Sequence, residues 1–448
     1  MKLPAMKPIR GLMRGFTLVE LMIALALGLL VTAGIISVFV STSKAGNVQT
    51  QMARLQEEGR YAIGQIGSDL SMAGGLYGAN TGGLATRETW SYMDGLRSPT
   101  AYVQFASLGL PDNAVALGNP PAAPYPLPSR IYVSGHECSA AACTPAVPVA
   151  IAPVMGTAAG NRVPGADVLT LRYVTGRGWS VVEGGSAQVC DATNNLTSIR
   201  IVPQAGDAPL ASFQAGDLAL LTDGSAASVF KVTRAGGVFT PSSDFPGYAP
   251  GCVNTQTDAR LYNFSNDFTT ITYYLQLLAD SNPDAPAGHR VAALMRKVNG
   301  GPAEEIARGV ERLDFRYMVE NADGGVIVLG ADNVAAGTDG SGNAIDCPVQ
   351  PDLSAFTGAT LSELRQGCLW RALRAIEVHA LVDNATLLPT LGANELAYRY
   401  SCDGSTSCTN TGAALAPTAL TAPLPNGLDK RMLRREFVGM YSVRNYNP

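Results

Sequence analysis

Residues 16–40 read FTLVELMIALALGLLVTAGIISVFV, an apolar run whose single charged residue is Glu20. About 20 apolar residues are enough to span a bilayer as a helix, so this run predicts a membrane helix. Basic residues and no acid precede it, at Lys2, Lys7, Arg10 and Arg14. By the positive-inside tendency, this leader stays in the cytoplasm and everything after the run is exported.

The run differs from an ordinary cleavable signal, which has an apolar region of roughly 7–15 residues followed by a small-residue cleavage site. Here the run is longer, and the small residue Gly15 lies before it. A plain N-terminal anchor with an incidental glutamate is one interpretation. However, an ionisable side chain inside a membrane helix is costly without a partner, which favours a functional role for Glu20.

The junction RGFTLVE at residues 14–20 resembles the processing motif of prepilins, in the superfamily of type IV pilins and type II secretion pseudopilins. The resemblance implies cleavage between Gly15 and Phe16 by a prepilin peptidase, followed by N-methylation of Phe16. Because glycine has no Cβ, the backbone at Gly15 can approach a catalytic site closely. In a filament of staggered helices, the Glu20 carboxylate would neutralise the new Phe16 amino group of the same or a neighbouring subunit.

Apolar positions continue at helical spacing beyond residue 40. They are Val48, Met52, Leu55, Ile63, Ile66 and Leu70. We therefore predict a leader over 1–15 and one helix over 16–73, roughly 85 Å long at 1.5 Å per residue. Residues 16–40 form its transmembrane or filament-core part, and the later turns lay an apolar stripe on the exported region. Gly74-Gly75 is predicted to end it.

The exported region, residues 74–448, has the composition of a β-rich body. The chain contains 48 Gly and 28 Pro, which suits short strands joined by turns. Alternating apolar runs predict strands at 101–107, 130–134, 168–174, 219–222, 228–233, 270–277, 292–298, 312–319, 375–382 and 435–443. We expect a pilin-like α+β fold, in which the long N-terminal transmembrane helix packs on a large, mainly antiparallel β region of one lobe or two.

The eight cysteines favour an oxidising compartment, and hence a periplasmic or extracellular body. Their connectivity is not readable from sequence, but short loop closures are the simplest set. These disulfide candidates are Cys138 with Cys143, Cys190 with Cys252, Cys347 with Cys368, and Cys402 with Cys408. A zinc site of His136, Cys138 and Cys143 is the alternative for the first pair, although a second ligand pair is missing.

One further segment suits a hard cation. Asp339, Ser341, Asn343 and Asp346 offer oxygen ligands at alternate positions, as calcium loops do. The terminal bidentate glutamate of an EF-hand loop is missing, and clusters of Asp, Gly, Asn and Ser are usually turns. Calcium is therefore a candidate ligand of this segment, with a simple turn as the alternative, and no other cofactor is expected.

Catalysis and nucleic-acid binding find little support in the sequence. The three histidines, His136, His289 and His379, lie outside any recognisable nucleophile motif, and no Walker-type phosphate loop or dinucleotide fingerprint is found. The net charge of −4 argues against a nucleic-acid partner. We expect a protein that is not an enzyme. A membrane-tethered periplasmic enzyme or binding protein is the alternative from a different functional class.

Segments after the membrane run resemble PilW-type minor pilins of type IV pili. They are RLQEEGRYA at 54–62, SDLSMAG at 68–74, ADVLTLRY at 166–173, AGDLAL at 215–220, GVERLDFRY at 309–317 and RREF at 434–437. The resemblance implies a low-copy subunit of the inner membrane that helps prime pilus assembly and then lies at the pilus tip on the cell surface. The implied partners are a prepilin peptidase, other minor pilins, the major pilin and a PilY-type tip adhesin. A minor pseudopilin of a type II secretion system shares the N-terminal features and is the alternative.

Overall fold

Apolar residues at helical spacing form α1, a 55-residue helix over Leu18–Met72. The computed structural model describes residues 17–73, 98–111, 117–119, 121–223, 226–254, 258–280, 288–348, 351–384, 388, 392, 396–403, 408–410, 412, 414 and 432–443. The leader, Phe16 and Gly74-Gly75 lie outside these ranges. Helix α1 is long and apolar enough to cross a membrane.

Shorter elements follow α1 along the chain. The helices are α2 Phe264–Asp267, α3 Ala331–Ala336 and α4 Gly358–Arg365, with 3-10 turns at Phe105–Leu108, Ser129–Ile131, Leu210–Ser212 and Cys368–Ala372. The strands are β1 Thr100–Ala101, β2 Tyr125–Pro126, β3 Val133–Cys138, β4 Cys143–Thr144, β5 Val168–Val174, β6 Trp179–Ser180, β7 Ala187–Cys190, β8 Leu196–Arg200, β9 Leu218–Thr222, β10 Ala227–Ala235, β11 Val238–Ser242, β12 Arg260–Asn263, β13 Phe268–Ala279, β14 Arg290–Val298, β15 Ala303–Arg308, β16 Val310–Glu320, β17 Val326–Leu329, β18 Leu373–Asp383 and β19 Arg434–Ser442.

The strands of the described ranges form three sheets. The nine-strand sheet has the order β6-β12-β9-β10-β11-β8-β7, with β1 beside β10 and β2 beside β1. The six-strand sheet has the order β15-β14-β13-β5-β3-β4, and the four-strand sheet has the order β17-β16-β18-β19. The long neighbours are antiparallel, whereas β1 runs parallel to β10. The predicted α+β fold, with an N-terminal helix on a mainly antiparallel β region, is confirmed.

The last turns of α1 belong to the body, because residues Leu55–Pro448 form one compact unit and Met1–Arg54 form another. Ala62, Ile66 and Leu70 recur every four residues on one face of α1 and are fully buried. They share one hydrophobic cluster with Tyr273 of β13 and Ile376 of β18. The core of the body therefore lies where the helix packs on the six-strand and four-strand sheets.

A second cluster lies within the nine-strand sheet and is built largely from aromatic rings. The Trp179 and Phe213 ring centroids are 5.3 Å apart, and those of Phe213 and Phe239 are 4.9 Å apart. Both distances are typical of favourable aromatic pairs. This sheet therefore has a core of its own inside the same compact unit.

Two predicted strands have a wrong boundary: the first extends too far, and the second begins too early. In the predicted strand 101–107, Phe105–Leu108 form a 3-10 turn. The carboxylate of Asp244 holds this turn, because it accepts hydrogen bonds from the preceding backbone N–H and from a hydroxyl within the turn. In the predicted strand 130–134, Ser129–Ile131 form another 3-10 turn, and β3 begins two residues later.

Candidate functional site

The start of α1 is closed by a capping box between Thr17 and Glu20. The Glu20 backbone N–H donates to Thr17 Oγ1 over 3.2 Å, and the Glu20 carboxylate accepts from the Thr17 backbone N–H over 3.4 Å and from its hydroxyl over 3.3 Å. This reciprocal pattern satisfies donors that a helix start leaves unpaired. The T-x-x-E spacing of Thr17 and Glu20 is the sequence signal of this capping box.

Glu20 itself remains open to a partner. Its side chain is exposed, and it makes no ion pair within the described residues. The large apolar side chains that follow are exposed too, including Leu18 at 75% and Phe39 at 72%. Exposed apolar surface of this extent is stable only in lipid or against other helices. The predicted processing residues Gly15 and Phe16 lie outside the described residues.

A comparison with known protein families agrees with these observations. Residues 12–36 match the prokaryotic N-terminal methylation motif. The match includes Gly15, Phe16 and Glu20, and it supports a pilin- or pseudopilin-type subunit. It also implies processing by a prepilin peptidase and assembly with other pilins. No curated protein and no solved structure matches this chain.

The other end of α1 is anchored by a buried carboxylate, Asp69. Its Oδ2 accepts a hydrogen bond from Tyr273 Oη over 2.5 Å and from Arg296 Nε over 2.8 Å. Its Oδ1 accepts from Tyr173 Oη over 3.1 Å. Asp69 is 6% exposed, and a charge so buried is tolerated because it is paired and hydrogen-bonded.

The anchor joins α1 to three neighbouring strands. Tyr173 lies on β5, Tyr273 on β13 and Arg296 on β14, where Tyr273 and Arg296 are directly opposite each other. Burial, with the nearby Asp69 charge, raises the pKa of Tyr173 to about 12, so its hydroxyl stays a donor at neutral pH. Sequence reasoning missed this site, although an acid between the apolar positions Ile66 and Leu70 was a signal.

Two glycines on α1 receive aromatic rings from β19. A Cβ at Gly59 would overlap the Phe437 ring, and a Cβ at Gly67 would overlap the Tyr441 ring. Phe437 and Tyr441 are four residues apart on one strand and so project from the same face. The glycines therefore allow the C-terminal strand to pack closely on the helix that begins the body. By contrast, no atom of the residues that the structure describes lies within 4 Å of a Cβ at Gly64.

The cysteines join in the four sequence-local pairs. The disulfides are Cys138–Cys143, Cys190–Cys252, Cys347–Cys368 and Cys402–Cys408. The first pair does not suit the zinc alternative with His136. Arg162 Nη1 lies 3.3 Å from Cys138 Sγ and 3.2 Å from Cys143 Sγ, and a guanidinium cation there would repel a metal ion.

The predicted calcium loop forms a tight turn in the structure. Asp339 Oδ1 accepts hydrogen bonds of 2.8 Å from the backbone N–H groups of Ser341 and Asn343, and Oδ2 accepts one from the Asn343 amide over 2.9 Å. Asp346 is exposed beyond the turn. The Asp339 carboxylate thus serves the turn, while calcium binding stays a prediction.

Buried carboxylates also join the six-strand sheet to the four-strand sheet, which the sequence did not reveal. Asp167 accepts hydrogen bonds from the backbone N–H of Cys138 over 2.8 Å and of Phe315 over 3.1 Å. Nearby, burial raises the pKa of Glu137 to about 7 and that of Asp314 to about 6. The Asp314 charge also raises the pKa of Glu137, so these carboxylates interact at this junction.

Proposed function

We propose that this chain is a minor pilin of the PilW type, which helps prime type IV pilus assembly and lies at the pilus tip. The observation that carries the proposal is the N-terminal methylation motif on a helix whose first half is exposed and apolar. Such a helix needs other helices or lipid around it, as a filament subunit does. After processing, the body would remain attached to it in the periplasm and then on the cell surface.

In the proposed assembly, Glu20 pairs with the amino group that cleavage creates on Phe16. Thr17 holds the carboxylate at the helix start, where the positive end of the helix dipole also lies. The pairing would involve the same subunit or its neighbour. The positively charged Phe16 amino group would offset the free-energy cost of placing the Glu20 carboxylate in an apolar filament core.

The size of the body supports a minor rather than a major subunit. Residues 74–448 follow the helix, about 375 residues in all. A major pilin repeats at short intervals along the filament, which limits the volume of its globular region. A tip position with other minor pilins and a PilY-type adhesin avoids this crowding. We propose a structural role without catalysis.

The test is a measurement of copy number and of the deletion phenotype. In sheared pili, quantitative mass spectrometry should find the chain at a small fraction of the major pilin, and deletion should strongly reduce surface pili. Amounts equal to the major pilin would contradict a minor role. Normal piliation with loss of enzyme secretion would instead favour the pseudopilin alternative, which has the same N-terminal motif.

A further inference from the structure

His379, Cys402 and Cys408 form a compact cluster at the four-strand sheet. Their potential ligand atoms, one imidazole nitrogen and two sulfurs, all lie within 4.8 Å of one another. His379 is on β18 and is 3% exposed, whereas both cysteines are half-buried and joined in a disulfide. The cluster therefore combines a buried imidazole with two half-buried cysteines.

The imidazole is oriented as in a metal-binding histidine. Its Nδ1 lies 3.0 Å from Glu436 Oε1, and Glu436 is itself fixed by the backbone N–H and the hydroxyl of Ser401. Its Nε2 is buried and lies 3.4 Å from Glu377 Oε2, so a carboxylate flanks each ring nitrogen. The Glu436 carboxylate on Nδ1 orients the ring, and a metal ion would bind at Nε2 in competition with Glu377.

The disulfide in this cluster closes a very short loop. The sequence separation of Cys402 and Cys408 is 6, against 62 for Cys190 and Cys252. In the chain-entropy model a shorter closed loop contributes less to stability. Opening the short loop thus costs the fold comparatively little, and the reduced state is a realistic one.

We propose that Cys402, Cys408 and His379 form a thiol-gated zinc site. A dithiol reductant would transfer two electrons and two protons to the Cys402–Cys408 disulfide, giving two thiols and the oxidised reductant. Zn²⁺ would then bind both sulfurs as thiolates, with release of two protons, and His379 Nε2 as a neutral ligand. A water molecule would complete the tetrahedral set.

The chain contains a matched control in its other short disulfide. Cys138 and Cys143 are separated by 5 residues, with His136 two residues before the first. However, Arg162 contacts both of these sulfurs, so a cation is disfavoured there. The two loops therefore make opposite predictions for the same chemistry.

The first experiment reduces the full-length protein in detergent with dithiothreitol, removes the reductant and titrates with Zn²⁺ against a chromogenic chelator. We expect one tightly bound equivalent, retained in Cys138→Ser/Cys143→Ser and lost in Cys402→Ser/Cys408→Ser. Circular dichroism checks that the reduced body is folded. Zinc binding that survives loss of Cys402 and Cys408 would overturn the proposal, as would a folded, reduced protein that binds none.

A second experiment needs no reductant and keeps the other three disulfides closed. The Cys408→His variant frees the Cys402 thiol beside His379 and presents one sulfur and two imidazoles. We expect one equivalent of Co²⁺ with a thiolate-to-metal charge-transfer band. Adding Glu436→Gln should weaken binding about tenfold, because the orienting carboxylate is lost, and adding His379→Gln should weaken it further. Failure to bind, or affinity that is unchanged by His379→Gln, would contradict the site.

Discussion

Helix α1 carries two acids in opposite surroundings. Asp69, in its last turn, is buried and hydrogen-bonded to Tyr173, Tyr273 and Arg296 of the same chain. Glu20, in its first turn, is exposed and hydrogen-bonds to Thr17. The difference separates two roles: the end of the helix completes the fold of the body, whereas its start is a surface for other molecules.

The largest effect that would test this contrast is expected from Asp69→Ala. Removing the carboxylate leaves the Arg296 guanidinium and the Tyr173 hydroxyl without this partner, while the Tyr273 hydroxyl keeps the Gln65 carbonyl. The free energy of unfolding should therefore fall by about 3 kcal/mol. Denaturant titration of the full-length protein in detergent measures it. The matched Glu20→Ala variant should unfold like the wild type, yet enter pili at least tenfold less efficiently. Equal destabilisation by both variants would remove the distinction.

Substitutions at two neighbouring glycines of α1, Gly64 and Gly67, should change stability by smaller amounts and in opposite directions. Gly67→Ala must displace the Tyr441 ring, so we expect a loss of about 1–2 kcal/mol of stability. Gly64→Ala meets nothing and should gain up to about 1 kcal/mol from helix propensity. Both are measured in the same denaturant titration. A stabilising Gly67→Ala would show that β19 does not pack closely on the helix.

The smallest expected effect comes from pH and acts on the body. Burial raises the pKa values of Glu137 and Asp314 to about 7 and about 6, so the folded state holds protons that the unfolded chain has released. Stability from these protons is complete near pH 4 and is lost as the pH rises towards 7. Between pH 6.5 and 7.5 the loss is on the order of 1 kcal/mol. Denaturation midpoints at pH 6.5 and 7.5 measure it. Glu137→Gln should flatten this dependence, and an unchanged slope would contradict the assignment.

The parts of the fold that were predictable depend on local pattern. The long helix α1 follows from apolar composition. The strand predicted at 168–174 is β5 itself, because the apolar residues Leu169, Leu171 and Tyr173 recur at every second position, as on one face of a strand. The short strands β7 and β17 were missed, since Ala187–Cys190 and Val326–Leu329 are mostly exposed and lack a strong alternation. Long, buried strands were therefore easier to predict than short, exposed ones.

The anchor was not predictable because its partners are distant in sequence. Asp69 and Arg296 are separated by 227 residues, and Gly67 meets a ring on the last strand. A single sequence shows an acid or a glycine in a helical stripe, but not which strand packs against it. Sequence reasoning located the N-terminal motif because all of its residues are adjacent.

The most direct test of the account is mass spectrometry of the mature N-terminus. We expect a chain that begins at N-methylated Phe16 and keeps the apolar residues 17–40, whereas a Gly15→Trp variant should keep its leader. Material that begins at Met1, or that starts beyond Val40, would contradict it.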